Sequence, residues 1–233
     1  MHRAVFVYAR SNSRRLPGKA LMPLGSGGPL LSIVLSRALM VGADSCALLT
    51  SNQPADDALV DTGVALGVQV VRGDPNNLVN RTIEAIDATG ASHFLRVNGD
   101  SPLFSPLLAR EAMNQLKRAD LISNLFVRRF PYGVAVEWMS TSRYLRLAAA
   151  AFDVECEHVT AHLYRLRNEI DALSMSQARD DSPSRLAVDT RADYERLNTL
   201  VSHRDMSTVE YWELYDRFEP EPLYAHLPRS HQT

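Results

Sequence analysis

Apolar and polar positions fall in alternating blocks along the first half of the chain. Ala4 to Tyr8 is a continuous apolar run rich in β-formers, which predicts a short strand buried on both faces. From Leu30 to Leu39 apolar residues recur at helical spacing toward Gly42, with Pro29 suited to a first helical position. Ser45 to Leu49 predicts a second strand, and Pro54 to Leu66 a helix with Asp56 and Asp57 in its first turn, where the dipole favours them. Gly67 ends that helix, and Val68 to Val71 predicts a third strand. A helix over Leu78–Thr89, a fourth strand over His93–Val97 and a helix over Ser105–Lys117 follow. Strands and helices alternating through short loops imply an α/β fold, a parallel sheet covered by helices on both faces. Ligands of such sheets bind outside the carboxyl ends of the strands. The polar loops beginning at Ala9, Arg72 and Asn98 are therefore expected to converge on one edge.

The second half is less regular. Leu121-Ile122, residues 133–139, residues 172–176 and Leu186-Ala187-Val188 read as further strands. Helices are expected over Tyr144–Ala151, Glu155–Arg167 and Asp193–Val201, the last capped from Thr190. Thr208 to Phe218 reads as an amphipathic C-terminal helix, and Glu219 to Thr233 as a polar tail. Gly25-Ser26-Gly27-Gly28-Pro29 lacks the spacing and lysine of a P-loop and reads as a turn. Without repeats or a linker, residues 1–233 read as one domain, with 125–175 as an excursion from it.

Composition narrows the class. At 233 residues, 45% hydrophobic and 22% charged, the chain is an ordinary globular one with room for a large core. A net charge of -2 argues against a dedicated nucleic-acid binder. Cys46 and Cys156 lie far apart in contexts that suit thiols rather than a disulfide or a metal pair. The segment opening Met1-His2-Arg3 is too short for a signal peptide, and no apolar stretch reaches the length of a membrane span, so a cytoplasmic location is expected.

The positive charge is local. Arg10, Arg14, Arg15 and Lys19 fall within ten residues among Ser11, Asn12, Ser13, Leu16, Pro17 and Gly18. Guanidinium forks, backbone N–H groups and one compact ammonium suit a polyphosphate, although a solvated basic turn has the same composition. Asp100, in Asn98-Gly99-Asp100-Ser101-Pro102, and Asp189, in Val188-Asp189-Thr190, each follow a predicted strand. Two such carboxylates suit Mg²⁺, which takes one or two carboxylates plus phosphate oxygens and water; alternatively each caps the helix behind it. His158 and His162 stand at i, i+4, with neither a metalloprotease glutamate nor a third ligand to make a zinc site. No serine sits in a nucleophile elbow.

Arg10-Ser11-Asn12-Ser13-Arg14-Arg15-Leu16-Pro17-Gly18-Lys19 resembles the opening signature of the cytidylyltransferases that make CMP-activated acidic sugars. The likeness is to the spore-coat polysaccharide biosynthesis branch, alongside the 3-deoxy-manno-octulosonate and acylneuraminate cytidylyltransferases. It continues in Thr50-Ser51-Asn52 with Asp56-Asp57, in Arg72-Gly73-Asp74, Arg81 and Asn98-Gly99-Asp100-Ser101-Pro102-Leu103. It returns in Glu157-His158-Val159-Thr160 and in Leu186-Ala187-Val188-Asp189-Thr190 with Asp193.

The resemblance implies a nucleotide-diphospho-sugar transferase (GT-A-like) fold, a three-layer α/β/α sandwich with a mostly parallel sheet. It implies CTP and an acidic 2-keto-3-deoxy sugar as substrates, Mg²⁺ as cofactor, and a homodimer formed through residues 125–175. Arg10, Arg15, Lys19 and Asp100 would be catalytic, the three cations on the triphosphate. Ala9, Ser11, Asn52, Arg72 and Gly99 would join Arg10, Arg15 and Lys19 in binding the nucleotide. Asp100 and Asp189 would hold the metal, and Glu137 and His158 would meet the acceptor, whose carboxylate calls for an arginine such as Arg128 or Arg129. The block that usually reads Gly-x-Asp-Val-Glu departs here, with Ala135 in its acidic place. Two alternatives remain on the same fold. A glycosyltransferase is disfavoured by the missing Asp-x-Asp motif, and an inactive nucleotide-binding homologue by the retained aspartates and lysine.

Overall fold

The computed structural model describes residues 1–151 and 156–228. Its centre is one eight-stranded sheet, ordered β3-β2-β1-β4-β6-β5-β7-β8. The strands are β1 Arg3–Tyr8, β2 Ser45–Ser51, β3 Gln69–Gly73, β4 His93–Asn98, β5 Leu121–Ser123, β6 Glu137–Ser140, β7 Ala172–Ser176 and β8 Leu223–His226. β1 pairs in parallel with β2 and β4, and β2 with β3, while β6 and β8 run against their neighbours. Within residues 125–175, β6 and β7 lie inside the sheet.

Among the described residues, seven α-helices cover the sheet: α1 Leu30–Leu39, α2 Asp57–Ala65, α3 Leu78–Thr89, α4 Pro106–Met113, α5 Thr141–Ala148, α6 Ala161–Arg165 and α7 Arg191–Leu200. Alternate residues of β1 supply two cores. Val5 and Val7 pack with α1, α4 and Leu197 of α7, whereas Ala4, Phe6 and Tyr8 pack with Ile86 of α3, Tyr144 of α5 and Leu163 of α6. This is the α/β/α sandwich with a mostly parallel sheet that the alternating pattern implies. No helix among the described residues is long and apolar enough to cross a membrane.

The departures have local causes. Pro54–Asp56 forms a separate 3₁₀ turn ahead of α2, because the Asp56 carboxylate is turned inward to the ends of β2 rather than outward. Residues 133–136 are not strand; the Asn124 side chain donates to Val134 O at 2.7 Å and accepts from Val136 N at 3.0 Å, replacing a neighbouring backbone. Of the helix expected over Glu155–Arg167, Glu155 lies outside the described residues, turns and a bend occupy 156–160, α6 is α-helical, and Arg167 opens a 3₁₀ turn. Leu186–Val188 makes no strand either; apart from one bridge between Tyr132 and Arg185 the segment runs across the strand ends. The apolar residues of 206–212 are buried without a helix, since the Arg37 guanidinium takes the carbonyls of Met206 and Val209 that a helix would use. Part of the polar tail pairs with β7 as β8.

Candidate active site

The strand order sets the place. The chain passes from β1 to β2 and β3 on one side and returns to β4 on the other, so it leaves β1 and β4 toward opposite sides of the sheet. Tyr8 pairs with Asn98, and Gly99 N donates to Tyr8 O at 2.8 Å. A Cβ on Gly99 would meet Ala9 Cβ at 2.8 Å and Tyr8 O at 2.9 Å, so the close approach needs glycine. A cleft of about 420 Å³ opens here, lined by Tyr8, Ala9, Arg10, Arg15, Lys19, Arg96, Asn98, Gly99, Asp100, His158 and Asp189 among others. A second cleft of about 490 Å³ adjoins it, shares Arg10, and is lined by Ser11, Asn12, Ser51, Gln53 and Asn76.

Lys19 opens a 3₁₀ turn behind Gly18, whose φ of +71° is the left-handed conformation that glycine tolerates. Its ammonium is not the exposed loop charge that composition suggests. The side chain is 13% exposed, and Nζ donates to Asp100 Oδ2 at 2.8 Å and Val188 O at 2.7 Å, with Asp189 Oδ1 at 3.4 Å. Arg15 reaches the same Asp189 oxygen at 3.0 Å. The other Asp189 oxygen is held by Arg185, which also pairs with Asp193 at 3.2 Å. Neither aspartate is a helix cap: Ser105 caps α4 and Thr190 caps α7 in a capping box with Asp193. The cap alternative is therefore set aside.

The segment carrying Asp189 is placed by the backbone. Leu186 N donates to Tyr132 O, and Val188 N to Asp100 O at 2.9 Å. Gly133, at φ +101°, lies so close that a Cβ would meet Ala187 N at 2.7 Å. Asp100 and Asp189 thus reach one ammonium from the turn after β4 and from a non-strand crossing segment. Both are hard oxygen donors around a site where a cation already sits, and this donor set fits a divalent ion completed by phosphate oxygens and water. No group of three His, Cys, Asp or Glu among the described residues could hold a metal by itself.

Not every candidate converges. Arg72 is in β3, where it donates to Ser51 O at 3.0 Å and Gln53 O at 2.8 Å and pairs with Asp57 at 2.8 Å, lining neither cleft. Asn52 is exposed and also lines neither. Glu137 is fully buried behind Arg96. His158 and His162 share no face: His158 lines the cleft, while His162 is buried with its ring 5.1 Å from that of Tyr144. Arg128 and Arg129 line neither cleft, and Arg128 instead lies over the Tyr132 ring. Two cleft arginines carry no assigned role in the sequence pattern, although Arg81 falls within the resemblance. Arg81 is 1% exposed with Nε unpartnered, and burial lowers its pKa while Asp56 and Tyr8 oppose that. Arg96 had a signal, as an arginine set between apolar Leu95 and Val97 within a strand.

A mostly parallel α/β sheet whose carboxyl edge joins a cationic loop to two convergent carboxylates is the framework of a nucleotidyltransferase. The chain belongs to the cytidylyltransferase family, whose profile matches residues 4–208, and so to the CTP-dependent nucleotidyltransferases. It is 29% identical over 228 residues to the spore coat polysaccharide biosynthesis protein SpsF of Bacillus subtilis (strain 168), covering 91% of this chain and 92% of that one. It is 34% identical over 122 residues to the 3-deoxy-manno-octulosonate cytidylyltransferase of Vibrio parahaemolyticus, covering 50% of this chain and 46% of that one. A solved cytidylyltransferase from Leptospira borgpetersenii superposes with a TM-score of 0.88 at 26% identity, covering 93% of each chain.

Proposed function

We propose that this enzyme activates an acidic 2-keto-3-deoxy sugar with CTP, giving a CMP-sugar and pyrophosphate for a surface polysaccharide. The carrying observation is Lys19 seated between Asp100 and Asp189 on the floor of a cleft that Arg10 and Arg15 also line. Nucleotidyl transfer at phosphorus is mostly positioning and charge neutralisation, and this constellation supplies both. Arg10, Arg15 and Lys19 gather the triphosphate. The anomeric hydroxyl of the sugar attacks the α-phosphorus, the new O–P bond forms, and the bond to the β-phosphate breaks. Pyrophosphate carries away the electron pair, and the hydroxyl proton passes to solvent. Asp100 and Asp189 would hold Mg²⁺, which when bound neutralises phosphate charge. His158 stands at the cleft where an acceptor hydroxyl would lie. The names of the relatives, one in spore-coat polysaccharide synthesis and one acting on 3-deoxy-manno-octulosonate, support the substrate class.

The test is pyrophosphate release with each of the four nucleoside triphosphates against a panel of octulosonates and nonulosonates, with and without a chelator. Release with CTP and an acidic sugar, abolished by the chelator and restored by Mg²⁺, is expected. Sugar transfer from a nucleotide-sugar donor, or binding of CTP without turnover of any acidic sugar, would overturn the proposal.

A further inference from the structure

The ion pair of Arg96 and Glu137 meets the cleft through Arg96 and lies outside the basic loop. Glu137 begins β6 and is 0% exposed, with both carboxylate oxygens engaged. Oε2 accepts from Arg96 Nη1 at 2.5 Å, and Oε1 from the Tyr164 hydroxyl at 2.8 Å. Ser123 Oγ lies 2.7 Å from that hydroxyl. Burial and the neighbouring Glu137 charge raise the Tyr164 pKa, so the phenol stays a donor. Glu137 is therefore enclosed, and a substrate in the cleft would find neither oxygen available.

Arg96 is placed differently. Its side chain is 22% exposed and lines the cleft beside Asn98, whose Oδ1 accepts from Nη2 at 2.8 Å. A guanidinium carries five N–H donors, and these two bonds leave others for an incoming anion. Of the other arginines lining this cleft, Arg10, Arg14 and Arg15 belong to the basic loop, and Arg81 is 1% exposed within the wall. Chemistry sets where the acceptor's anion must fall. In a 2-keto acid the carboxylate is bonded directly to the anomeric carbon, so it lies within a few bonds of the attacking hydroxyl. Its receptor must stand near the α-phosphate without serving the triphosphate. Arg96 precedes Asp100 by four residues, on the strand that Asp100 follows, and His158 lines the same cleft.

We propose that Arg96 receives the carboxylate of the acceptor sugar, and that Glu137 is a positioning residue that holds Arg96 without touching the substrate. The assignment rests on the acidic-sugar reading of the site. It moves the carboxylate receptor from Arg128 and Arg129, which line neither cleft, to a strand residue fixed from behind by a buried ion pair and a phenol.

The experiment compares 3-deoxy-manno-octulosonate and a nonulosonate with their C1 carboxamides as acceptors, at saturating CTP, in the wild type, Arg96→Gln, Glu137→Gln and the double variant. The wild type should prefer acid to carboxamide by about tenfold or more in kcat/KM, the scale of a charge-assisted bond. Arg96→Gln should bring that ratio close to unity through a higher KM for the acid, with the KM for CTP within about twofold. Glu137→Gln, which leaves Arg96 in place but loosens it, should lower the ratio part-way and act on KM rather than kcat. Because Arg96→Gln strands a buried carboxylate, the double variant keeps a neutral hydrogen-bonding pair, and its folding is checked by circular dichroism. A folded double variant that retains the acid preference overturns the assignment, as does a wild type indifferent to the amide. A KM raised equally for acid and amide does so too. Absence of turnover with every acidic sugar in the wild type instead overturns the functional reading, and the assignment with it.

Discussion

The backbone N–H of Ser11 donates to Oδ1 of Asp56 at 2.7 Å across 45 residues of sequence. The other oxygen of Asp56 accepts from Thr50 Oγ1 at 3.0 Å, Ser51 N at 3.1 Å and Ser51 Oγ at 2.5 Å. One carboxylate, 2% exposed, thus ties the start of the basic loop to the end of β2. Its placement explains why a loop with four cations holds its shape beside a cleft. Burial acts to raise the Asp56 pKa, but the Ser51 and Ser11 donors outweigh it and hold the pKa below the usual carboxylate range.

Replacing Asp56 should disturb the loop as well as the fold. Asp56→Ala leaves the Thr50 and Ser51 donors buried without a partner, which costs on the order of 2–4 kcal/mol. Since Arg10 and Arg15 stand on the loop it anchors, the KM for CTP should rise severalfold with a smaller change in kcat. The folded pKa is depressed, so the stability from Asp56 is present above the unfolded carboxylate's pKa and lost as pH falls. Urea unfolding at several pH values should show the wild type and the variant converging below about pH 4. A constant gap down to acid pH would mean that Asp56 acts only by packing.

Lys19 makes a second test, because in the described structure it takes the place between the two carboxylates. Lys19→Met should lower turnover about 100-fold or more, the scale of losing a fixed charge at a transferring phosphoryl group. The same change leaves Asp100 and Asp189 less neutralised. Mn²⁺ should therefore bind the nucleotide-free variant more tightly than the nucleotide-free wild type, as read by electron paramagnetic resonance of the free ion. Unchanged turnover would remove Lys19 from the triphosphate, and unchanged Mn²⁺ affinity would show that the carboxylates do not act together.

Much of this was legible in the chain. Residues 78–89 form the helix that apolar periodicity predicts, and β1 to β4 follow their apolar runs because parallel strands are buried on both faces. Asp100 and Asp189 were legible as a pair of carboxylates after predicted strands, but Asp189 does not end a strand. What holds it is a bond from Val188 N to Asp100 O, a contact between distant segments that no local pattern encodes. The same applies to Arg72, whose position beside a loop resembles a ligand contact although its guanidinium is satisfied by Ser51, Gln53 and Asp57. His158 and His162 have the spacing of one helix face, but His158 lies in the turn that precedes α6. Periodicity reports local geometry; these side chains answer to partners tens of residues away.

A third prediction concerns stability away from the cleft. Arg37 on α1 is 0% exposed and donates to Phe104 O at 2.7 Å and Val209 O at 2.8 Å, with Glu210 Oε1 3.3 Å from Nη2. Arg37 thereby clamps the irregular segment 206–210 onto α1. Burial pushes Glu210 up to about 7; Arg37 opposes the shift without cancelling it, while Glu213 and Glu219 add to it. A carboxyl whose folded pKa is raised binds its proton more tightly when folded. Its contribution is fully present below the unfolded pKa and is lost as pH rises through about 7. Between about pH 5 and pH 8 the wild type should lose on the order of 3 kcal/mol relative to Glu210→Gln, which keeps the volume and removes the titration. Urea unfolding of both proteins across that range, at fixed ionic strength, reads the difference directly. Parallel stability curves would show that Glu210 is already ionised throughout, and that its pairing with Arg37 outweighs the burial of its charge.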